Sequence, residues 1–285
     1  MYPSMDDLKY FIEVATVGNI SRAAAIVAIS QPAMSVALKR LEESLDAKLL
    51  ERTNSGVVLT EIGKTVFEQA GSLIQNWENL KLDAKKSHTE VGGFFTIGAH
   101  PAVANYTFPY FLPELLADHP TLNIRIHHED LSRKVTDAVI SGKIDYGLVI
   151  NPSAHPDLVI RKLETDVVRF WYHKKITNLK ELENEVLICN PDLIQSKKLI
   201  SKCEKLGVCF SRVVSSSSLD LVARLVENQC GVAVLPSRVL TKEQQKKLHT
   251  VIDEITFDDD ICLIHKPSVS ASHKVISTAI SSVFS

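Results

Sequence analysis

The chain has 285 residues, of which 45% are apolar and 23% are charged, and its net charge is −2. This length exceeds one ordinary domain, and the apolar content excludes a largely disordered protein. The five cysteines form no CxxC pair, and no apolar stretch reaches membrane-spanning length, which disfavours zinc sites, disulfide frameworks and membrane spans. We therefore expect a soluble, cytoplasmic protein with no metal, no cofactor and no membrane partner.

The first predicted unit is a pair of short helices separated by a tight turn. Ser21 and Ser30 stand where these helices would begin, because a serine hydroxyl accepts hydrogen bonds from the free amides of a first helical turn. An earlier helix, ending near Gly18, is predicted by apolar residues at helical spacing, Leu8, Phe11, Ile12 and Ala15. This order predicts a helix-turn-helix.

The second helix of the pair is predicted to have a polar face and a packing face. Pro32 fits its first turn, where no amide donor is needed. Its polar face carries residues four apart, Gln31, Ser35 and Lys39. The packing face is assigned to Val36, Leu41 and Leu45, against Ala23, Ala24 and Val27 of the preceding helix. Acidic residues slightly outnumber basic ones over residues 1–60, so bulk charge argues mildly against DNA binding.

A wing is predicted directly after this helix. Residues 48–52 and 57–59 fit two short strands around the turn-forming quartet 53–56. Such a wing would bring Arg52 and Asn54 to the phosphate backbone or the minor groove.

A long helix is predicted from Thr60 until Gly92 interrupts it, with a hinge at residues 90–93. Its apolar residues alternate spacings of four and three, as in a heptad seam: Val66, Ala70, Leu73, Trp77, Leu80 and Ala84. The helix could pack on its own domain or pair with a second copy. The length of the seam favours homodimerisation.

From Phe94 onward, short apolar strands alternate with helices, which predicts a mostly parallel sheet covered on both faces. Strands are predicted at 94–98, 123–127, 146–150, 167–172, 186–189, 209–214, 232–235 and 261–265. Helices are predicted at 104–118, 131–141, 194–206, 219–228, 241–247 and 270–283. The region has no GxGxxG and no GxxxxGK[ST] motif, so nucleotide binding is not indicated.

These motifs together resemble the LysR-type transcriptional regulators. The family's Ser-x-Ala-Ala helix, Ser-Gln-Pro-Ala-x-Ser helix, Leu-Glu pair, Arg and Leu-Thr-x-x-Gly match residues 21–24, 30–35, 41–42, 52 and 59–63. The resemblance continues through residues 112–120, 142–147 and 226–236. Departures occur at Asp46, where Gly is usual, and at Leu50 and Thr53.

For DNA, the resemblance implies that Gln31, Pro32, Ala33 and Ser35 face base edges while Lys39 and Arg52 contact phosphates. Gln can pair with adenine, and Pro or Ala can touch a thymine methyl. The candidate set is completed by Ser21, Ser30, Arg40, Thr53 and Asn54. Capping alone would also explain the two serines, and a solvated surface would also explain the basic pair 39–40.

The resemblance implies three parts: a winged helix-turn-helix at 1–59, a dimerisation helix at 60–90 and an effector domain at 91–285. The fold class is α/β with an N-terminal all-α winged helix-turn-helix. The effector domain would be a two-lobed fold like that of periplasmic binding proteins, with lobe I at about 91–165 and 258–285 and lobe II at about 166–257.

An effector would lie between the lobes, beyond strand ends and against helix N-termini that favour anions such as a small carboxylate. Candidate residues follow predicted strands: Ala99, His100, Pro101, Ala102, Asn151, Asn190, Ser215, Ser216, Ser217 and Ser218. His100 stands where many relatives have Ser or Thr.

The predicted function is sequence-specific binding of double-stranded promoter DNA by a homodimer or dimer of dimers, modulated by a small-molecule effector. One alternative is a redox-sensing regulator of the same fold that uses Cys203 and Cys209. Another is a small-molecule-binding protein or enzyme of the α/β type. No catalytic set can be assigned, so an enzyme is not expected.

Overall fold

The computed structural model describes residues 3–53, 56–85, 91–176, 178–251, 255–268 and 270–284. The chain divides into two compact units, Met1–Phe94 and Phe95–Ser285. No single helix in the described ranges is long and apolar enough to cross a membrane. The helices Ile20–Ile26 and Gln31–Leu45 reach the required length and apolar content only when taken together. They are bent by 106° relative to each other, so they are weak evidence for a membrane span.

The first unit is a winged helix-turn-helix followed by a long helix. Its elements are α1 (Met5–Val17), α2 (Ile20–Ile26), α3 (Gln31–Leu45), β1 (Leu50–Thr53), β2 (Gly56–Leu59) and α4 (Glu61–Lys85). Strands β1 and β2 pair in antiparallel register and form the wing. The predicted order of helices, wing and long helix is therefore confirmed. Of the predicted hinge, Glu90 lies outside the described residues.

Side-chain caps set the beginnings of the three helices. Ser4 and Asp7 form a capping box at α1, and Ser30 accepts from the Ala33 amide at 3.3 Å to cap α3, as predicted. The predicted cap of α2 at Ser21 is wrong. Asn19 caps this helix instead, accepting from the Arg22 amide at 3.0 Å, and Ser21 lies within its first turn.

The packing face of α3 differs from the prediction. Val36 is 61% exposed and Leu45 is 47% exposed, whereas Leu41 is buried as expected. The buried stripe follows the spacing of three and four around Met34: Met34, Ala37, Leu38 and Leu41. The helix is thus rotated relative to the predicted packing face. Ala23 and Ala24 of α2 are buried in the same core, as predicted.

Backbone geometry explains two positions of the family motif. Asp46 ends α3 in the left-handed conformation, with φ of 48°, which Asp tolerates better than most residues. Gly63 lies so close to β1 that a Cβ there would sit 2.0 Å from the Leu49 carbonyl oxygen. The Glu42 carboxylate accepts from the Leu49 amide at 2.8 Å and the Leu50 amide at 3.3 Å, which joins α3 to the start of the wing.

The second unit is a mixed sheet with helices packed on it. Its strands are β3 (Gly93–Ala99), β4 (Leu122–His128), β5 (Tyr146–Ile150), β6 (Val159–Tyr172), β7 (Val186–Cys189), β8 (Arg212–Ser215), β9 (Val232–Pro236), β10 (His249–Val251) and β11 (Phe257–His265). Its α-helices are α5 (Pro101–Asp118), α6 (Ser132–Ile140), α7 (Ile194–Lys205), α8 (Leu219–Glu227), α9 (Lys242–Lys247) and α10 (Ala271–Ser282).

The sheet order is β4-β3-β5-β11-β6-β9-β7-β8, with β10 paired to β6. The prediction of a mostly parallel sheet is wrong at its centre, because β11 runs antiparallel to both β5 and β6, and β6 runs antiparallel to β9. The flanking pairs β3–β5, β7–β8 and β7–β9 are parallel, as expected.

Two long central strands join two lobes. Strands β6 and β11 pair along 257–265, with a register shift between Ile261 and Cys262. On one side, β3, β5, α5 and α10 enclose a core around Tyr146. On the other, β6, β7, β9 and α7 enclose a core around Phe170. This is the two-lobed arrangement that the resemblance implied. Prediction found only the C-terminal part of each central strand, because the omitted parts carry many charged residues.

Candidate DNA interface and effector cleft

The N-terminal part of α3 presents an exposed surface with hydrogen-bonding groups. Gln31, Pro32 and Ala33 are exposed and Ser35 is half-buried. The Gln31 side-chain amide donates to the Ser35 hydroxyl at 3.0 Å, which orients the amide along the helix. Gln31 and Ser35 therefore share one face of the helix, and Pro32 and Ala33 are exposed beside them in its first turn.

The two basic residues that follow differ sharply in their surroundings. The Lys39 side chain is 75% exposed, and its ammonium lies 3.5 Å from the Glu43 carboxylate. The Arg40 guanidinium instead donates to Asp7, whose side chain is fully buried, with Nε 2.7 Å from Oδ2. Burial opposes ionisation of Asp7, but hydrogen bonds from Arg40 and Ser4 hold its pKa below the ordinary range. Arg40 thus joins α3 to α1, a structural role that competes with the predicted DNA contact.

On the wing, Arg52 and Thr53 are exposed at the end of β1, opposite Val57 and Gly56. Asn54 lies outside the described residues. Ser21 is exposed on α2 and, since Asn19 caps that helix, its hydroxyl is not used as the N-cap.

The predicted seam of α4 divides into two parts. Val66 and Ala70 pack into the core of their own unit, which agrees with the alternative that the helix packs on its own domain. Farther along, three large apolar residues stay exposed in the single chain: Leu73 at 52%, Trp77 at 40% and Leu80 at 56%. The exposed stripe, Leu73-Trp77-Leu80, is the part of the seam that can accept a partner. The side chain of Ala84 is outside the described part.

A cleft lies between the two lobes of the second unit, beside the paired central strands β6 and β11. Its volume is about 50 Å3, and both lobes and both central strands contribute to it. The polar residues that line it are His100, Tyr106, Asp130, Ser132, Asp166, Gln195 and Asp259. The apolar ones are Ala102, Val103, Ile150, Leu193, Leu219, Pro236 and Val239.

Only two of the predicted effector residues, His100 and Ala102, line this cleft. The four serines connect β8 to α8: Ser215 ends the strand, Ser216 accepts from the Ser218 amide at 3.1 Å, and Ser218 caps the helix. Asn190 is buried, and its oxygen accepts from the Asp192 amide at 3.1 Å. Neither the serines nor Asn190 belongs to the lining, and the same is true of Ala99, Pro101 and Asn151.

Asn151 has a positioning role instead. It adopts the left-handed conformation, with φ of 48°. Its amide donates to the Asp259 carboxylate at 3.0 Å, and its oxygen accepts from the Asp260 amide at 2.9 Å. Asn151 therefore fixes a carboxylate that faces the cleft.

Two buried carboxylates are the main polar groups that sequence reasoning missed. Asp166 is 4% exposed and accepts from the amides of Val167 at 2.7 Å and Arg238 at 3.2 Å. Asp259 is 2% exposed and accepts from the Gln195 amide at 2.8 Å. Successive side chains of a strand point to opposite faces, so Asp259 shares a face with the buried Ile261 and not with Asp258. A prediction of β11 at its full length would therefore have indicated that Asp259 is buried.

Burial shifts the ionisation of these groups. It raises the pKa of Asp259 to about 7, and the neighbouring Asp166 adds to the rise, while bonds from Gln195 and Asn151 oppose it. Burial also raises the pKa of Asp166, although the amides of Arg238 and Val167 counteract it. Both carboxylates are thus held in surroundings that disfavour their charge.

Asp259→Asn is expected to stabilise the second unit at alkaline pH. At pH values between about 4 and 7, Asp259 is protonated in the folded chain and ionised in the unfolded chain. The free energy of unfolding therefore falls as pH rises through this range. The free energy of unfolding should rise by about 2–4 kcal/mol near pH 8 and change little near pH 4. Chemical denaturation at both pH values measures the difference. The exposed Asp258→Asn is the matched control, and an equal gain for both variants would contradict the assignment.

The thiols of the redox alternative are poorly suited to it. Cys203 is fully buried in α7, and burial raises its pKa to about 11, whereas a reactive thiol is acidic and accessible. Cys209 is exposed. The burial of Cys203 therefore argues against a redox pair with Cys209.

Comparisons with known proteins agree with this architecture. Residues 88–276 match the family model of the LysR substrate binding domain, and residues 5–64 match that of the bacterial regulatory helix-turn-helix protein, lysR family. The HTH-type transcriptional regulator BbuR of Bordetella bronchiseptica is 33% identical over 158 residues, covering 55% of this chain and 48% of that protein. The hydrogen peroxide-inducible genes activator of Pectobacterium carotovorum is 24% identical over 248 residues, covering 84% of this chain and 82% of that protein.

Among solved structures, full-length CbnR complexed with its target DNA superposes with a TM-score of 0.67 at 20% identity, covering 99% of this chain and 98% of that one. At this identity the likeness concerns the fold. The family models match more than half of the chain, in the two regions that the structure resolves as winged helix-turn-helix and two-lobed unit. The chain therefore belongs to the LysR family and is a DNA-binding transcriptional regulator of the LysR type.

Proposed function

We propose that this regulator reads promoter DNA with the exposed face of α3 as a homodimer or dimer of dimers, and that an effector in the interlobe cleft modulates this binding. The observation that carries the proposal is the start of α3, where Gln31, Pro32 and Ala33 are exposed and the Gln31 side chain bonds to the half-buried Ser35. The surface lies on the helix that a helix-turn-helix inserts into the major groove. The site of action is the cytoplasm, where bacterial promoter DNA is found.

On the DNA, Gln31 is the main base-reading residue. Its side-chain amide can bond to adenine N6 and N7, and its contact with Ser35 restricts the orientation it must adopt. Pro32 and Ala33 supply apolar contact to a thymine methyl. Lys39 and Arg52 contact phosphates, which fixes the register of the helix without reading sequence. Ser21, Ser30 and Thr53 are secondary phosphate contacts.

Dimerisation proceeds through the Leu73-Trp77-Leu80 stripe. Three large apolar side chains at heptad spacing on one solvent-exposed helix face are covered when a second copy pairs with it. In this proposal, residues 1–59 bind DNA, residues 60–90 form the dimerisation helix and residues 91–285 bind the effector. Two paired reading units would recognise two half-sites related by two-fold symmetry.

The effector acts through the cleft between the lobes. A ligand that contacts both lobes and the two central strands binds one lobe arrangement more tightly than another, which is the requirement for control. The description of the matching family model as a substrate binding domain supports this role.

Substitutions on α3 test the reading surface. Gln31→Ala should lower discrimination at one base pair of each half-site by about 1–3 kcal/mol. Lys39→Ala should weaken binding to all sequences alike and reduce the slope of log K against log salt by about 1 for each recognition helix. Fluorescence anisotropy on a bound duplex and its single-base variants, over a salt series, separates the two effects. Unchanged base preference in Gln31→Ala would refute the assignment of Gln31.

A further inference from the structure

We propose that the effector is a small organic cation that also carries a hydrogen-bond acceptor, and not the small carboxylate expected from the sequence. This inference rests on the proposed function, because it names the ligand class for the same cleft. Two independent observations carry it: the sign of the charge on the cleft walls, and one buried histidine nitrogen that lacks a partner.

The charged groups that line the cleft are acidic. Asp130, Asp166 and Asp259 are part of the lining, and none of the lining residues in the described part of the chain is Lys or Arg. Asp166 and Asp259 come from adjacent central strands. The charge of Asp166 disfavours ionisation of Asp259, and both carboxylates disfavour ionisation of Tyr106. A cation between them would relieve that repulsion, whereas a carboxylate would add to it.

Arg238 brings a positive charge near the cleft, and this charge has an acidic partner. The backbone amide of Arg238 donates to Asp166, but its guanidinium forms an ion pair with Glu164 and lies 5.5 Å from the centre of the Phe284 ring. Arg238 also attracts the Asp166 carboxylate, but this single cation faces Glu164 as well as the lining carboxylates Asp130, Asp166 and Asp259, so the acidic groups remain in excess. Around His100 the acidic residues Asp130 and Asp220 have a larger electrostatic effect than the basic His128, so the net charge there is also negative.

His100 supplies the second observation. The residue is 8% exposed, and its Nδ1 accepts from the Ala102 amide at 3.1 Å. A nitrogen that accepts from a backbone N–H carries no proton, so in the neutral ring the proton is on Nε2. That Nε2 is buried and has no hydrogen-bond partner in the described structure. Burial lowers the pKa of His100, which keeps the ring neutral.

His100 is therefore a buried donor that lines the cleft, and it needs an acceptor. A bare amine would satisfy the carboxylates and leave this donor unpaired, which is costly in a buried site. A simple carboxylate would satisfy His100 but face three acids. A molecule with an ammonium or guanidinium group and a neutral oxygen acceptor meets both requirements. The cleft volume of about 50 Å3 limits it to a small compound, below the roughly 300–1,000 Å3 of drug-sized sites.

Matched two-carbon probes separate these requirements. 2-Aminoethanol has the cation and the acceptor, ethylamine has the cation alone, and glycolate has the hydroxyl with a negative charge. Four-carbon counterparts are 4-aminobutan-1-ol, n-butylamine and 4-hydroxybutyrate. Titration calorimetry with the full chain should rank the amino alcohol first, the plain amine at least about tenfold weaker and the hydroxy acid last.

Variants connect the ranking to the named groups. Asp259→Asn should weaken the amino alcohol by at least about tenfold, and Asp258→Asn, at an exposed position next to it, should have a much smaller effect. His100→Phe should reduce the advantage of the amino alcohol over the plain amine. Because Asp259→Asn is expected to be more stable than the parent chain near pH 8, lost binding there would not reflect unfolding.

Tighter binding of glycolate than of 2-aminoethanol would overturn the inference, and so would the absence of binding by every amine in both series. Equal affinity of Asp259→Asn and the parent chain would overturn it as well. These outcomes leave the proposed function standing, because that function is tested separately by DNA binding. A cation that binds as expected while failing to alter DNA affinity would instead count against control through the cleft.

Discussion

Replacing Asp7 by alanine is expected to destabilise the N-terminal unit by about 2–3 kcal/mol. Asp7 is fully buried, bonds to the Arg40 guanidinium and completes the capping box with Ser4. Removing one partner of a buried ion pair commonly costs about 3–5 kcal/mol. We expect a smaller cost for Asp7→Ala, because the Arg40 side chain is 28% exposed and can reach water.

Hydrogen exchange of the full chain measures this effect segment by segment. Amides of α1 and α3 should exchange roughly 30- to 150-fold faster in Asp7→Ala, since 1.4 kcal/mol corresponds to a factor of ten. Amides of the two-lobed unit should not change. The neighbouring Asp6, which is exposed in the same helical turn, gives the matched control Asp6→Ala, with an expected effect within about 0.5 kcal/mol. Equal protection in the two variants would contradict the role of the ion pair.

The same pair separates a structural Arg40 from one that contacts DNA. Because an apolar pair of similar volume can replace a buried ion pair at little cost, Asp7→Leu combined with Arg40→Met should recover stability. If Arg40 has no DNA contact, DNA affinity should recover with it. Recovered stability with persistently weak DNA binding would restore Arg40 to the interface.

Leu73→Asp is expected to convert the dimer to monomers and to weaken DNA binding by about 100-fold or more. Leu73 is the first exposed residue of the Leu73-Trp77-Leu80 stripe. A carboxylate there would be buried without a partner when two copies pair. A monomer binds DNA through one helix-turn-helix only. It therefore loses the increase in affinity that two linked DNA contacts provide, which is about 100- to 10,000-fold.

Sedimentation velocity over a concentration series, together with anisotropy on a bound duplex, measures both parts. Gln75→Asp places the same charge on α4 but about 200° around the helix from Leu73, and it should keep the dimer. Persistence of dimers in Leu73→Asp would reject the stripe as the interface. Monomers in both variants would indicate a general loss of helix stability.

The parts of the fold that sequence predicts well are those set by local chemistry. Ser30 as a cap and Pro32 in the first turn define the start of α3 from neighbouring residues alone. The wing follows from a turn-forming quartet between two short strands. At α2 the same reasoning chose Ser21, since Asn19 and Ser21 are both able to cap a helix and only the helix phase distinguishes them.

Long-range contacts account for most of what sequence could not predict. Arg40 looks like a surface base until Asp7, 33 positions earlier, is seen to lie against it. The cleft carboxylates Asp166 and Asp259 are far apart in the sequence and meet only because β6 and β11 pair, which places Asp166 opposite Asp259. Helix N-termini suggested an anion site at residues 215–218, but the serines there satisfy their own turn.

In the proposed function, α3 reads a two-fold-symmetric DNA site as part of a dimer. Selection of bound duplexes from a random library by the full chain at physiological salt tests it most directly. We predict enrichment of paired half-sites separated by about one helical turn or a multiple of it, some 10–10.5 base pairs centre to centre. The enrichment should be relaxed at one position in each half-site by Gln31→Ala. Recovery of no enriched sequence, or of a single asymmetric half-site, would contradict the account.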